Sequence, residues 1–86
     1  MEVAFDEVAL GDLGFWKNSG NKAIQKKIEE LILDITESPY SGIGKPEALK
    51  YNLSGKWARR INDEHQIIYG VYENLIIFIY SLKGDY

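Results

Sequence analysis

The apolar residues of this chain change their period at Pro39. Before it, Ile24, Ile28, Leu31, Ile32 and Ile35 recur at helical spacing, with Lys26, Lys27, Glu29, Glu30 and Asp34 mostly on other faces, so residues 22–37 are expected to form an amphipathic helix. Proline cannot continue that helix, and the glycine-rich stretch 41–46 follows as a turn-rich connection. Beyond it, the segments 48–53, 56–61, 66–72 and 75–82 read as strands separated by the turn signals Ser54-Gly55, Asn62-Asp63 and Glu73-Asn74. Connections this short make successive strands antiparallel. Upstream, a short extended start at 3–5 precedes Ala9, Leu10, Leu13 and Trp16, whose spacing predicts a first helix ended by Asn18-Ser19-Gly20-Asn21. The expected fold is therefore α+β, with two N-terminal helices packed on one face of an antiparallel sheet of about four to five strands.

At 86 residues, 45% of them hydrophobic, the chain has material for one compact core and is expected to form a single domain over 1–86. The lack of cysteine excludes disulfides, thiolate zinc sites and cysteine nucleophiles, as a reducing cytoplasm permits. No run approaches the roughly 20 apolar residues of a membrane span, and Met1-Glu2-Val3-Ala4 lacks a basic leader, so a cytoplasmic protein without membrane contact is expected. A net charge of −3 argues against coating nucleic acid by bulk electrostatics. Its distribution is more informative. Residues 45–60 carry Lys45, Lys50, Lys56, Arg59 and Arg60 against Glu47 alone, a local cationic patch.

One histidine, His65, and no carboxylate cluster at ligand spacing give a metal site no support, and neither a nucleophile elbow nor a phosphate-binding glycine loop is present. What remains is a carboxylate among cations and tyrosines, a set able to cleave RNA without metal or cofactor. A base takes the 2′-hydroxyl proton, cations stabilise the crowded phosphate, and an acid protonates the leaving oxygen. Glu47, between Lys45 and Lys50, is the candidate base, although by itself it also reads as an ordinary solvated glutamate. Arg60 is the candidate phosphate contact, with Lys45, Lys50 and Arg59 supporting RNA binding; the alternative is a solvated basic face. Strand alternation puts Trp57, Arg59 and Ile61 on one side and Lys56, Ala58 and Arg60 on the other, so only one of the two arginines faces a given site. His65 reads as a hydrogen-bonded structural residue, and Trp57 and Tyr69 as core or platform residues.

The run Gly42-Ile43-Gly44-Lys45-Pro46-Glu47-Ala48-Leu49-Lys50 continues through Asn52-Leu53-Ser54-Gly55-Lys56-Trp57-Ala58-Arg59-Arg60-Ile61-Asn62-Asp63-Glu64-His65 to Tyr69. It closely resembles the signature of the YoeB/Txe branch of the RelE superfamily of bacterial toxins. The resemblance extends to Lys26-Lys27-Ile28-Glu29-Glu30-Leu31-Ile32, to Phe15-Trp16 and to the terminal Ser81-Leu82-Lys83-Gly84-Asp85-Tyr86, nearly the whole chain. It implies a RelE-like fold and the toxin of a type II toxin–antitoxin pair, a ribosome-dependent mRNA endoribonuclease (mRNA interferase). By the same resemblance Glu47 is the general base, Arg60 the phosphate contact, Lys50 a substrate-binding position and Tyr86 the second member of a terminal histidine–tyrosine pair.

Two positions depart from that pattern. Gln66 stands where the family has arginine, and Asp85 where it has the penultimate histidine. Glutamine donates a hydrogen bond but no positive charge, and an unperturbed aspartate, with a pKa of ~3.9, has no proton to give at neutral pH. Attenuated cleavage is the expectation, with a catalytically inactive antitoxin-binding protein and co-repressor of its own operon as the alternative. A gyrase-poisoning toxin of the ParE type fits less well, because it lacks the Lys-Pro-Glu and Arg-Arg constellation. The partners implied are a cognate YefM/Phd-like antitoxin, mRNA on the ribosome, a second copy in a homodimer, and operator DNA only through the antitoxin.

Overall fold

The computed structural model describes residues 1–84. Its elements run β1 (Glu2–Phe5), α1 (Glu7–Ser19), α2 (Lys22–Glu37), β2 (Glu47–Ala48), a short 3-10 turn (Tyr51–Leu53), β3 (Trp57–Arg60), β4 (Gln66–Tyr72) and β5 (Ile76–Ser81). The five strands form one sheet in the order β1-β5-β4-β3-β2. From β2 to β5 the expected antiparallel meander holds. The sheet as a whole is mixed, because β1 lies parallel to β5. No hairpin dictates the direction of β1: both helices and the strands β2, β3 and β4 lie between it and β5 in the chain, a long connection of the kind a parallel neighbour requires.

Each helix is bounded by its own sequence. The Asp6 carboxylate accepts the Val8 N–H to open α1, and Gly20, at φ 71, closes it. Asn21 accepts from Ile24 N–H at 3.1 Å and opens α2. On α2 the buried residues Ile24, Ile28, Leu31 and Ile35 are the expected stripe. On α1, Ala9 and Trp16 are buried and Leu13 packs partly against the core. Leu10, expected inward, is exposed, since it lies a quarter turn from the line through Ala9, Leu13 and Trp16. These residues meet Ile67, Tyr69, Ile77, Ile79 and Leu82 on one face of the sheet. Ile79 and Leu82 share that face, although three residues apart, because the strand pairing shifts between Ile68 and Tyr69. The bulge adds one residue to β5 and resets its alternation.

The expected strand over 48–53 is corrected. Pairing with β3 covers only Glu47 and Ala48, and the last bond across the ladder runs from Leu49 N–H to Lys56 O at 2.9 Å. Tyr51 then enters the left-handed region at φ 59, and the chain closes a tight turn through Leu53 N–H to Lys50 O and Ser54 N–H to Tyr51 O. The apolar residues here are a loop's, not a strand's. Among the described residues no helix is long and apolar enough to cross a membrane.

Candidate functional site

The helices cover one face of the sheet, so chemistry has the other. Pairing fixes which side chains share it. Glu47 lies opposite Ala58, and Arg60 lies opposite Gln66. Paired residues project to the same side, so Glu47, Arg60 and Gln66 stand on one face across three adjacent strands. Arg60 is two residues beyond Ala58, which makes it a diagonal neighbour of Glu47 at roughly 7–8 Å between backbone positions. Glu47 and Arg60 are exposed, and the one ion pair of Arg60 among the described residues is a loose 3.9 Å approach to the fully exposed Asp63. Such a pair restrains the guanidinium little.

Toward its other end the same face is filled. Tyr72 and Tyr80 hydrogen-bond to each other, Phe78 meets Tyr80 edge to face, and the Lys56 ammonium sits 4.0 Å over the Tyr80 ring. Gly70 makes room for Tyr72, whose hydroxyl would lie 2.7 Å from a Cβ there. Burial, then the bond to Tyr72, pushes the Tyr80 phenol up to about 12, so it stays protonated. Lys56 is thus engaged with an aromatic ring. The open, polar end is the one bearing Glu47, Arg60 and Gln66.

Arg59 requires a correction. Expected as an RNA contact, it is fully buried. Its guanidinium pairs with Asp34 and donates to the carbonyls of Ser38, Ser41 at 2.7 Å and Ile43 at 3.1 Å, while Nε donates to the Tyr69 hydroxyl at 3.2 Å. Tyr69 in turn donates to Pro39 O, and burial raises its phenol pKa above the ordinary value. Arg59 therefore ties the end of α2 and the following loop to the sheet. That loop leads directly into Lys45, Pro46 and Glu47, and Arg60 N–H bonds Gly44 O at 2.6 Å just before them. The buried arginine positions the segment that carries the exposed carboxylate.

Lys45 and Lys50 flank Glu47 and are exposed, Lys45 at φ 52. Asp85 and Tyr86 lie outside the described residues. The chain leading to them is firmly held: Leu82 N–H donates to Asp12, Trp16 Nε1 to Leu82 O, Gly84 N–H to His65 Nδ1, and Gln66 N–H to Gly84 O, all at 2.9–3.0 Å. His65 is the hydrogen-bonded structural residue expected, packed edge-on against Trp16. The chain thus reaches Gly84 beside Gln66, at the polar end of the open face.

Sequence reasoning missed Asp34 and Asp12. Asp34 carried a usable signal: a carboxylate near the C-terminal end of a helix opposes the helix dipole and calls for a cationic partner.

Known proteins resemble this chain over nearly its whole length. The family model described as a YoeB-like toxin of bacterial type II toxin-antitoxin systems matches residues 5–86. Toxin YoeB of Escherichia coli (strain K12) is 43% identical over 77 residues, 90% of each chain. A YoeB/ParE toxin from Agrobacterium tumefaciens superposes with a TM-score of 0.95 at 30% identity, over 100% of both chains. The YoeB-YefM complex from Staphylococcus aureus gives 0.88 at 41% identity, over 100% of this chain and 98% of that one, and a YoeB dimer from the same organism has also been solved.

Proposed function

This chain belongs to the YoeB-like toxins of bacterial type II toxin–antitoxin systems, and from that premise we propose that it is a ribosome-dependent mRNA endoribonuclease, working by metal-free acid–base cleavage in the cytoplasm. The observation that carries the reading is that Glu47 and Arg60 share the uncovered face at diagonal positions while Arg59 is buried. Glu47 removes the proton from a 2′-hydroxyl, and the freed oxygen attacks the adjacent phosphorus. As the bond to the 5′-oxygen breaks, Arg60 stabilises the added negative charge, and the products are a 2′,3′-cyclic phosphate and a 5′-hydroxyl. Lys45 and Lys50 hold the flanking phosphates. The leaving oxygen needs a proton, and this is the step on which Asp85 and Tyr86 bear. With Asp85 for histidine and Gln66 for arginine, cleavage is attenuated; loss of an acid–base group costs about 10²–10⁴-fold.

The partner is a YefM/Phd-like antitoxin, a reading supported by the Staphylococcus aureus complex, and the dimer from that organism supports self-association. Operator DNA is met through the antitoxin. A second reading, an inactive antitoxin-binding co-repressor, is favoured by the neutral Gln66 directly opposite Arg60.

The test is mRNA cleavage on programmed ribosomes, mapped by primer extension, with the parent chain, Glu47→Ala, and Gln66→Arg and Asp85→His singly and together. Strong cleavage restored by the double variant and removed again by Glu47→Ala is the expected outcome. Silence in every variant, with antitoxin binding intact, would support the co-repressor. Strong cleavage by the parent would overturn attenuation.

A further inference from the structure

Tyr51 is 91% exposed and holds φ 59, a left-handed backbone that bulky residues adopt only where the surroundings impose it. Here the imposition is local and visible. Leu53 N–H bonds Lys50 O at 3.1 Å, Ser54 N–H bonds Tyr51 O at 3.0 Å, and Lys56 N–H bonds Leu53 O at 3.0 Å, closing the link between β2 and β3. A turn of this shape is served at less cost by glycine or asparagine. Neither conformation nor packing accounts for tyrosine at this position, since the ring covers almost nothing.

The ring's surroundings supply a reason. Lys50 immediately precedes it, and Glu47 stands four residues upstream on the edge strand beside Arg60. An exposed aromatic face beside a cation, four residues along the chain from the candidate base, matches a nucleotide neighbouring the cleaved one: the base stacks on the ring and its phosphate meets the lysine. We propose that Tyr51 is a substrate-positioning residue that stacks on an unpaired RNA base flanking the scissile bond, with Lys50 on the adjoining phosphate. The inference rests on the RNA-directed reading above and adds to it a fixed contact outside the reacting atoms.

Binding separates the two ideas, because it needs no cleavage. Affinity is measured for a short fluorescein-labelled single-stranded oligoribonucleotide and, separately, for ribosomes without mRNA, using the parent chain and Tyr51→Gly, Tyr51→Phe and Tyr51→Trp. Thermal unfolding is followed alongside, and antitoxin affinity serves as a control. Tyr51→Gly relieves the backbone and should unfold no earlier than the parent, yet bind RNA about tenfold more weakly; Tyr51→Phe and Tyr51→Trp should bind as the parent does. Loss of oligonucleotide affinity supports stacking on a substrate base, whereas loss confined to ribosomes puts the ring on ribosomal RNA and overturns the substrate-positioning role. Unchanged RNA affinity in Tyr51→Gly, or a loss only of antitoxin affinity, overturns the stacking role and leaves the cleavage reading standing. A parent chain that binds neither RNA overturns both.

Discussion

Arg59 and Arg60 are adjacent in sequence and have opposite environments. Removing the buried guanidinium takes the donor from the half-buried Asp34 and from the Ser38, Ser41 and Ile43 carbonyls together, so Arg59→Ala should cost about 3–5 kcal/mol of stability in urea unfolding. Arg60→Ala, at an exposed position, should stay within about 0.5 kcal/mol while lowering any cleavage activity. A small cost for Arg59→Ala would show that the loop after α2 is held by something else. The same pair sets an acid response. The hydrogen bond from Arg59 holds the Asp34 carboxyl below its ordinary value, against the opposing effect of burial. A carboxyl depressed in the folded state stabilises fully above its unfolded pKa, near ~3.9, and that contribution fades as pH falls through the lower folded value. Urea midpoints measured from pH 6 downward should therefore fall more steeply below pH ~4 for the parent than for Asp34→Asn. Equal slopes would remove Asp34 from the acid response. Part of this was legible beforehand: alternation alone separated Arg59 from Arg60. Which of the two went inside was not, because the deciding partner, Asp34, lies on another element and meets Arg59 only after the loop has folded back.

Among the elements, α2, with its repeating apolar stripe, and β4, a continuous β-branched and aromatic run between two turn signals, were readable almost to their ends. Elements whose form depends on a distant neighbour were not. The parallel pairing of β1 depends on β5, and the early end of β2 depends on a turn built from hydrogen bonds that carry no sequence period. The loop before β2 is similarly set by tertiary contact. A Cβ on Gly42, at φ 117, would collide with the Asp34 carboxylate and press on Arg59. Gly42→Ala should therefore cost at least about 2 kcal/mol and loosen the segment bearing Glu47, whereas Gly20→Ala, at a helix end with open space around it, should cost only about 1 kcal/mol. Calorimetry on the two variants compares them directly. Similar costs would mean that the Asp34 contact adds nothing beyond backbone strain.

For the molecule as a whole, a net charge of −3 coexists with cations gathered around one carboxylate. If Lys45 and Lys50 each neutralise a phosphate, replacing either by alanine should flatten the dependence of log affinity on log salt by about 0.7 for single-stranded RNA. An unchanged slope would take that lysine off the RNA. The arginine doublet carries a different consequence, one for folding. A one-residue misthreading of β3 in one direction would bring Arg60 to the buried place of Arg59 and turn Arg59 outward, so a guanidinium would still be available to Asp34. Electrostatics would not reject that error. Trp57 and Ile61 would reject it, because both would be turned out of the core. Proofreading of the strand that carries the phosphate contact therefore falls to two apolar side chains that take no part in the chemistry.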